Sequence, residues 1–171
     1  GRTGSFAENS QVIIDWNYNA WGGKYPPWNY DELTASAIGN IVNVPTLRPN
    51  LILEGGAIEG NGAGTVLTTS SCLLNPNRNP GMTADRMEDI LRHWLQAKNV
   101  VWLPGHGIIG DDTDGHIDQV ARFVDERRVL LAAPYDDDAP EAEELRQNWD
   151  AVASAKNSAG ESLIPVALRM P

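Results

Sequence analysis

Apolar residues recur along this chain with two different periods, one typical of helices and one typical of strands. The clearest helical pattern runs from about Ala84 to Gln96, where Thr83 offers an N-cap and apolar side chains return every three or four positions. A second helix is predicted from about Glu141 to Ala155. A shorter one is expected over 32–38, capped by Asp31 and closed by Gly39.

Short apolar runs rich in β-branched residues predict the strands. They cover Val12 to Ile14, Leu51 to Leu53, Ala57 to Ile58, Thr65 to Thr68, Val100 to Leu103, Arg122 to Val124, Val129 to Ala132, and Leu163 to Val166. The glycine-rich stretch from Gly60 to Gly64 has a strand on each side and predicts a hairpin. A dinucleotide-binding loop would need a helix after the glycines, and a Thr-Val strand follows instead.

The order strand, strand, helix, strand occurs twice, in the regions 57–103 and 122–166. Alternation of this kind indicates an α/β fold. A supersecondary unit that repeats predicts a circular or stacked arrangement of units. The segment from Pro134 to Pro140, with its acidic run at 136–138, is predicted to be a solvated loop.

The size and charge of the chain limit its possible functions. Its 171 residues suffice for a single domain, and its formal net charge of −10 argues against a nucleic acid or an anionic membrane as partner. A cationic or neutral substrate fits better. The single cysteine, Cys72, excludes an internal disulfide and favours a reducing compartment, so the expected location is the cytoplasm. No apolar stretch is long enough to predict a membrane span.

Candidate chemistry concentrates between Asp111 and Asp118, where four carboxylates surround His116. Side chains two residues apart in an extended segment point to the same side, so His116 and Asp118 are predicted to share acid–base and charge-pairing work. Asp112 and Asp114 have the alternative of serving only as turn and cap residues. A metal site is also possible for such residue types, but the spacing does not match a calcium loop.

A second acidic signature is Glu54-Gly55-Gly56, which follows the apolar run Leu51 to Leu53. It places a carboxylate at the end of a predicted strand, beside glycines that allow close approach to the backbone. Taken with the acidic segment around His116, it predicts a pocket for a cation.

The chain resembles the agmatine deiminase family of guanidine-modifying (pentein) enzymes, which also includes peptidylarginine deiminases. Five separated blocks carry the likeness: Asp15-Trp16-Asn17-Tyr18-Asn19-Ala20-Trp21-Gly22-Gly23-Lys24, Glu54-Gly55-Gly56-Ala57, Gly64-Thr65 with Thr68-Thr69, Cys72-Leu73-Leu74-Asn75-Pro76-Asn77-Arg78-Asn79-Pro80, and Asp111 through Asp118 with Arg122-Phe123.

The resemblance implies a pentein-type α/β propeller, in which ββαβ modules surround a central site. The match spans nearly the whole chain, so residues 1–171 form one region that resembles only the central part of such an enzyme. The N-terminal and C-terminal modules are then absent and the ring is incomplete. Apolar faces left uncovered predict self-association.

The implied reaction converts agmatine to N-carbamoylputrescine with release of ammonia, in polyamine formation, without a metal or other cofactor. A cysteine thiolate attacks the guanidinium carbon, and a histidine protonates the departing ammonia and then activates water. The motif match assigns the acid–base role to His116 and the binding of the guanidinium nitrogens to Asp118. It assigns to Glu54 the role of the carboxylate that interacts with both the histidine and the substrate. Asp112, Trp21 and Trp16 are further candidates for substrate contacts.

Two departures from the family pattern limit what this chain is expected to do. The reactive cysteine of the family follows a glycine-rich segment near the C-terminus, and no such motif occurs here, so the chain is predicted to lack the nucleophile and to be inactive alone. Cys72 is predicted to be a small buried thiol. Arg2 stands where the family has an aspartate that binds the guanidinium, and Glu59 stands where it often has a histidine.

Three alternatives stay open at this point. The chain could be a non-catalytic module that binds cationic guanidine ligands, or its substrate could be peptidyl-arginine instead of agmatine. A third, weaker alternative is a metal-dependent hydrolase built on Asp111 to Asp118.

Overall fold

The computed structural model describes residues 11–106, 108–136 and 138–170. The strands in this part of the chain are β1 Ile13–Ile14, β2 Thr46–Leu47, β3 Ile58–Gly60, β4 Thr65–Thr69, β5 Asn99–Leu103, β6 Ala121–Phe123, β7 Arg128–Ala133 and β8 Ile164–Arg169. The α-helices are α1 Ala20–Gly23, α2 Thr34–Val42, α3 Ser70–Leu73, α4 Ala84–Leu95, α5 Ile117–Val120 and α6 Ala142–Ser154. Two short 3₁₀ turns cover Asp31–Leu33 and Gly55–Ala57.

The two repeats predicted from the sequence have the same topology. In the first, β3 pairs antiparallel with β4, and β4 pairs parallel with β5 after the crossover helix α4. In the second, β6 pairs antiparallel with β7, and β7 pairs parallel with β8 after α6. A parallel pair requires such a crossover, and here each crossover contains a helix. The structure is therefore a mixed α/β fold with two successive ββαβ units.

Local sequence explains the boundaries of α4. The Thr83 hydroxyl accepts a hydrogen bond from the backbone N–H of Arg86 at 3.4 Å, and Gln96 ends the helix in the left-handed conformation. Met87 and Leu91 are fully buried on its apolar face. None of the helices in the described part of the chain is both long and apolar enough to cross a bilayer.

Two hydrophobic clusters form the core, and the first of them spans both units, because it contains side chains from β5 and from β7. Polar contacts also join the units. One cluster includes Leu103, Leu131 and Val152, whereas the other includes Leu73 and Leu91. Glu59 in β3 connects the units: its Oε1 accepts a hydrogen bond from the backbone N–H of Phe123 at 2.9 Å, and its Oε2 lies 3.0 Å from Nε of Arg122. The residue that replaces the frequent histidine of the family thus forms an inter-unit contact.

The segment before the first unit corrects two predictions. Helix α2 does not close at Gly39 but continues to Val42, where Asn43 adopts the left-handed conformation. Gly39 lies inside the helix because a Cβ there would come within 2.5 Å of Cγ2 of Thr46, so the glycine permits close packing of α2 on β2. Asp31 begins a 3₁₀ turn and is not an N-cap.

The run Leu51 to Leu53 does not form a regular strand. Only Ile52 makes a β-bridge there, parallel to Asn17. Leu51 and Leu53 are nevertheless buried in the second hydrophobic cluster, which accounts for the apolar pattern. The apolar pattern predicted the burial of these residues correctly. Burial alone does not show that a segment pairs with neighbouring strands in a sheet.

One face of β8 leaves apolar side chains in contact with solvent. Ile164, Val166 and Leu168 alternate along the strand and are exposed at 43%, 38% and 50%. Residues two apart in a strand lie on one face, so they form a continuous apolar strip. We expect self-association of this polypeptide, and replacement of Val166 and Leu168 by threonine should shift the light-scattering mass toward the monomer. A monomer for the unaltered chain at high concentration would contradict this expectation.

Candidate active site

The two predicted site residues Glu54 and His116 occupy equivalent positions in the successive units. Glu54 is the residue before the 3₁₀ turn that leads into β3, and His116 is the residue before α5, which leads into β6. Both side chains are buried, with 5% and 7% exposure. Their Oε2 and Nε2 atoms lie 3.5 Å apart. Equivalent segments of neighbouring units therefore bring a carboxylate and an imidazole together in the interior.

His116 also lies beside Asp118, although the reason given from sequence was wrong. Asp118 is not two residues along an extended segment but in the first turn of α5. A Cβ on Gly56 would come within 2.4 Å of His116 Nδ1 and 2.7 Å of Asp118 Oδ2. Both side chains therefore lie against the same side of Gly56. Asp118 is exposed and has no hydrogen-bonding or ionic partner among the described residues.

Arg78 fixes the position of Glu54. Its side chain is fully buried, and Nε donates to Glu54 Oε1 at 3.0 Å. Nη2 donates to the carbonyl oxygen of Thr113 at 2.8 Å, and Nη1 donates to Asp114 and, at 3.0 Å, to Asn77. One guanidinium thus ties Glu54 to the acidic segment that contains His116. Arg78 lies within one of the family-like blocks, but no local sequence pattern identifies its distant partners, so its role could not be predicted.

The other acidic residues of the segment 111–118 shape its loop. Asp111 Oδ1 accepts from the backbone N–H of Thr113 at 2.8 Å, and Asp111 Oδ2 accepts from the backbone N–H of Gly115. Asp114, at φ 65°, binds Lys24 Nζ at 2.7 Å in addition to Arg78. Asp111 therefore binds the backbone donors of the turn, whereas Asp114 lies in the turn with a left-handed backbone and binds the side chains of other segments. The carboxylates of Asp111 and Asp114 are therefore both occupied by protein donors.

Cys72 is fully buried, as expected of a structural thiol. Its Sγ lies 3.7 Å from Glu54 Oε2. Burial, and secondarily the negative charge of Glu54, raise the pKa of the thiol to about 12. The thiolate is the reactive form of cysteine, so Cys72 is a poor nucleophile at neutral pH.

An aromatic row runs from Tyr18 through Trp21 and Tyr25 and ends at Asp112. Trp21 makes edge-to-face contacts with Tyr18 and Tyr25, with ring centroids 5.7 Å apart in both pairs. The Tyr25 hydroxyl donates a hydrogen bond to the exposed carboxylate of Asp112. Burial, followed by the charges of Asp31 and Glu54, raises the pKa of Tyr18. Trp21 and Asp112, both predicted to contact substrate, therefore lie in the same row. Tyr18 and Tyr25, which connect to them, were not predicted as site residues.

Trp16, the other tryptophan proposed for substrate contact, lies elsewhere. Its ring packs edge-to-face on Trp94 of α4 at 6.0 Å, against the second hydrophobic cluster. The position of Arg2 lies outside the described residues, as does Asp137 of the acidic run at 136–138. The flanking Asp136 and Asp138 are exposed, as expected of a solvated loop.

The ion pairs of the site predict a loss of stability in acid. Burial alone would raise the pKa values of Glu54 and Asp114. The interaction of Glu54 with His116 and then Arg78, and the hydrogen bonds of Asp114 with Lys24, Asn77 and Arg78, outweigh burial and lower both pKa values. A lowered folded-state pKa stabilises the fold above the unfolded pKa of about 4, and this contribution is lost as the pH falls through the folded-state value. Urea unfolding should therefore show a free energy that drops below about pH 4, with a shallower drop in Asp114→Asn. Equal slopes for both proteins would contradict this.

Comparison with known proteins shows the family of the chain. The family model of the Porphyromonas-type peptidyl-arginine deiminases matches residues 3–171. The chain belongs to that family. An agmatine deiminase of Medicago truncatula is 36% identical to this family member over 170 residues, which cover 96% of this chain and 45% of the relative.

Solved structures show the same relationship for this deiminase-family chain. The agmatine deiminase of Enterococcus faecalis aligns with a TM-score of 0.85 and 36% identity, over 92% of this chain and 44% of the other. A cysteine-to-serine variant of C. jejuni agmatine deiminase, solved with substrate bound, aligns with a TM-score of 0.79 and 31% identity, over 90% and 45% of the two chains. The chain thus spans about half the length of the relatives that it matches.

Proposed function

We propose that this chain supplies the guanidinium-binding and acid–base side of an agmatine deiminase. The observation that carries the proposal is the buried His116 imidazole, flanked by the carboxylates of Glu54 and Asp118. Family membership supports deiminase chemistry, and the relatives named agmatine deiminase support agmatine as the substrate.

The arrangement suits a flat, delocalised cation. Carboxylates bind a guanidinium through paired N–H···O hydrogen bonds, and Asp118 is the free, exposed carboxylate beside His116. The aromatic row from Tyr18 to Tyr25 ends at a second exposed carboxylate, Asp112, and aromatic faces attract organic cations. The proposed ligand therefore enters along the aromatic row and places its guanidinium between Asp118 and Glu54.

In the proposed reaction a thiolate attacks the guanidinium carbon, and His116 gives a proton to the departing ammonia. His116 then takes a proton from water as the water attacks the same carbon, and the sulfur leaves to release the ureido product. Glu54 orients the imidazole and shares the positive charge of the substrate. Cys72, with its protonated and fully buried thiol, does not act as the nucleophile in this scheme.

We infer that the full deiminase arranges ββαβ units of this kind in a ring, a pentein-type propeller, around the site. The two units described here support this arrangement, because their equivalent residues Glu54 and His116 meet. Each unit supplies one side chain from the segment before its first strand, as a ring of repeats around a central site would require.

Calorimetric titration of the polypeptide with agmatine tests the proposal. We expect binding that Asp118→Asn weakens by about 10- to 100-fold, since hydrogen bonds to charged groups contribute about 1.5–3 kcal/mol. Asp89→Asn, on the exposed face of α4, is the matched control and should leave the affinity unchanged. No ammonia release is expected from this polypeptide alone. Absence of binding, or equal affinity in both variants, would overturn the proposal.

The same titration with an arginine residue blocked at both ends separates the two substrate classes. The end of agmatine opposite its guanidinium is a free primary amine with no carbonyl group nearby. In the blocked arginine, the corresponding end carries two peptide groups. We expect tighter binding of agmatine, because the relatives with solved structures or curated names support it. Tighter binding of the blocked arginine would favour a peptidylarginine deiminase.

A further inference from the structure

Three potential metal ligands from separate segments meet beside Arg78. They are Glu54 Oε2, Cys72 Sγ and His116 Nε2, and all three atoms lie within 4.8 Å of one another. The Nε2 atom belongs to a side chain with only 7% exposure and has no hydrogen-bond partner, although it lies 3.5 Å from Glu54 Oε2. A buried polar atom without a partner is uncommon in folded proteins and calls for a physical explanation.

Two of the three separations between these atoms are close to those around a tetrahedral zinc ion. Glu54 Oε2 lies 3.5 Å from His116 Nε2 and 3.7 Å from Cys72 Sγ. Tetrahedral zinc with ordinary bonds of about 2.0–2.3 Å to oxygen, nitrogen and sulfur holds its ligands about 3.3–3.6 Å apart. Small side-chain movements would therefore suffice to place all three atoms around one ion, with a fourth position left for water.

The surrounding groups suit such an ion in charge and orientation. Arg78 Nε donates to the other oxygen of Glu54, Oε1, so Oε2 keeps its lone pairs. His116 Nδ1 lies on the Asp118 side of Gly56, where a carboxylate can orient the ring. A thiolate and the Glu54 carboxylate supply two negative charges for a divalent cation, and the charge of Arg78 is shared between Glu54 and Asp114.

We propose that Glu54, Cys72 and His116 form a binding site for a zinc ion. Binding forms a Zn–S bond and releases the proton of the Cys72 thiol to solvent. The ion occupies the very atoms of Glu54 and His116 that the proposed function assigns to substrate and proton transfer, so zinc acts as an inhibitor and not as a cofactor. This consequence rests on the proposed function, whereas the metal site rests on the geometry alone.

Titration of the polypeptide with Co²⁺, a spectroscopic probe for zinc sites, tests the site directly. Co²⁺ should bind in a 1:1 ratio, give a thiolate-to-cobalt charge-transfer band, and be displaced by Zn²⁺. Cys72→Ser should remove the band and weaken zinc binding by at least about 100-fold, beyond the 10- to 100-fold typical of outer-shell changes. His116→Gln should weaken binding similarly. His93→Gln, which alters an exposed histidine on α4, is the control and should change neither quantity.

Two results would overturn the zinc site. One is the absence of a thiolate band in the folded, unaltered protein at millimolar Co²⁺, which does not depend on the folding of any variant. The other is an unchanged zinc affinity in both Cys72→Ser and His116→Gln, provided that the circular dichroism spectra of the two variants show a native fold. Agmatine titration in the presence of a chelator is a separate measurement, so failure of the metal site and failure of the proposed function are distinguishable.

Discussion

Replacement of Arg78 by methionine is expected to lower the free energy of unfolding by about 3–5 kcal/mol, the usual cost of removing one partner of a buried ion pair. The guanidinium is fully buried and donates to Glu54, Asn77, Thr113 and Asp114. Its removal leaves the buried Glu54 carboxylate without its cation and releases the segment that contains His116. Urea unfolding monitored by tryptophan fluorescence measures the change.

Arg92→Met provides the matched control for this experiment. Arg92 lies on α4 and pairs with Glu88 and Asp89, but its side chain is 46% exposed. Exposed helix pairs contribute about 0.3–0.5 kcal/mol, so the control should lose no more than that. A loss below about 1 kcal/mol in Arg78→Met would show that Arg78 does not hold the two segments together.

Gly56→Ala is expected to weaken agmatine binding by about 10- to 100-fold, because hydrogen bonds to a charged group such as Asp118 contribute about 1.5–3 kcal/mol and the displaced carboxylate would lose them. The new Cβ would lie 2.4 Å from His116 Nδ1 and 2.7 Å from Asp118 Oδ2, so both side chains must move. Gly56 does not have a positive φ, and an alanine is therefore compatible with its backbone. The expected effect comes from the clash and not from backbone strain.

The neighbouring glycine supplies the control. A Cβ on Gly55 would have no atom within 4 Å, and Gly55 also lacks a positive φ. Gly55→Ala should therefore retain native affinity for agmatine in the same calorimetric assay. If both variants bind equally well, His116 and Asp118 do not need their positions beside Gly56, and the proposed ligand site is wrong.

Much of the fold could be predicted because its signals are local. The periodicity of α4 and the glycine-rich turn before β4 depend on residues that are close in sequence, and the structure confirms both. The repeated ββαβ order could be read in the same way. Leu51 to Leu53 was mistaken for a strand because burial in a coil segment and burial in a sheet produce the same apolar run.

The site was only partly predictable because its contacts are distant in sequence. Resemblance to a family pointed to His116, Glu54 and Asp118, which the structure brings together. The role of Arg78 depends on a carboxylate 24 positions earlier and another 36 positions later, and no local pattern encodes such pairs. Trp16 was predicted to contact substrate, but its ring packs on Trp94 in a helix of the first unit. This contact is also distant in sequence and has no local pattern.

The junction between the two repeats sets a lower limit on the polypeptide that can hold this site. Glu54 precedes the first repeat and His116 precedes the second, while Arg78 ties the two entry segments together. Neither repeat expressed alone would contain a complete set of these contacts. A cut between β5 and Thr113 would separate Glu54 and Arg78 from His116, so the site could form from those two pieces only if they reassociate.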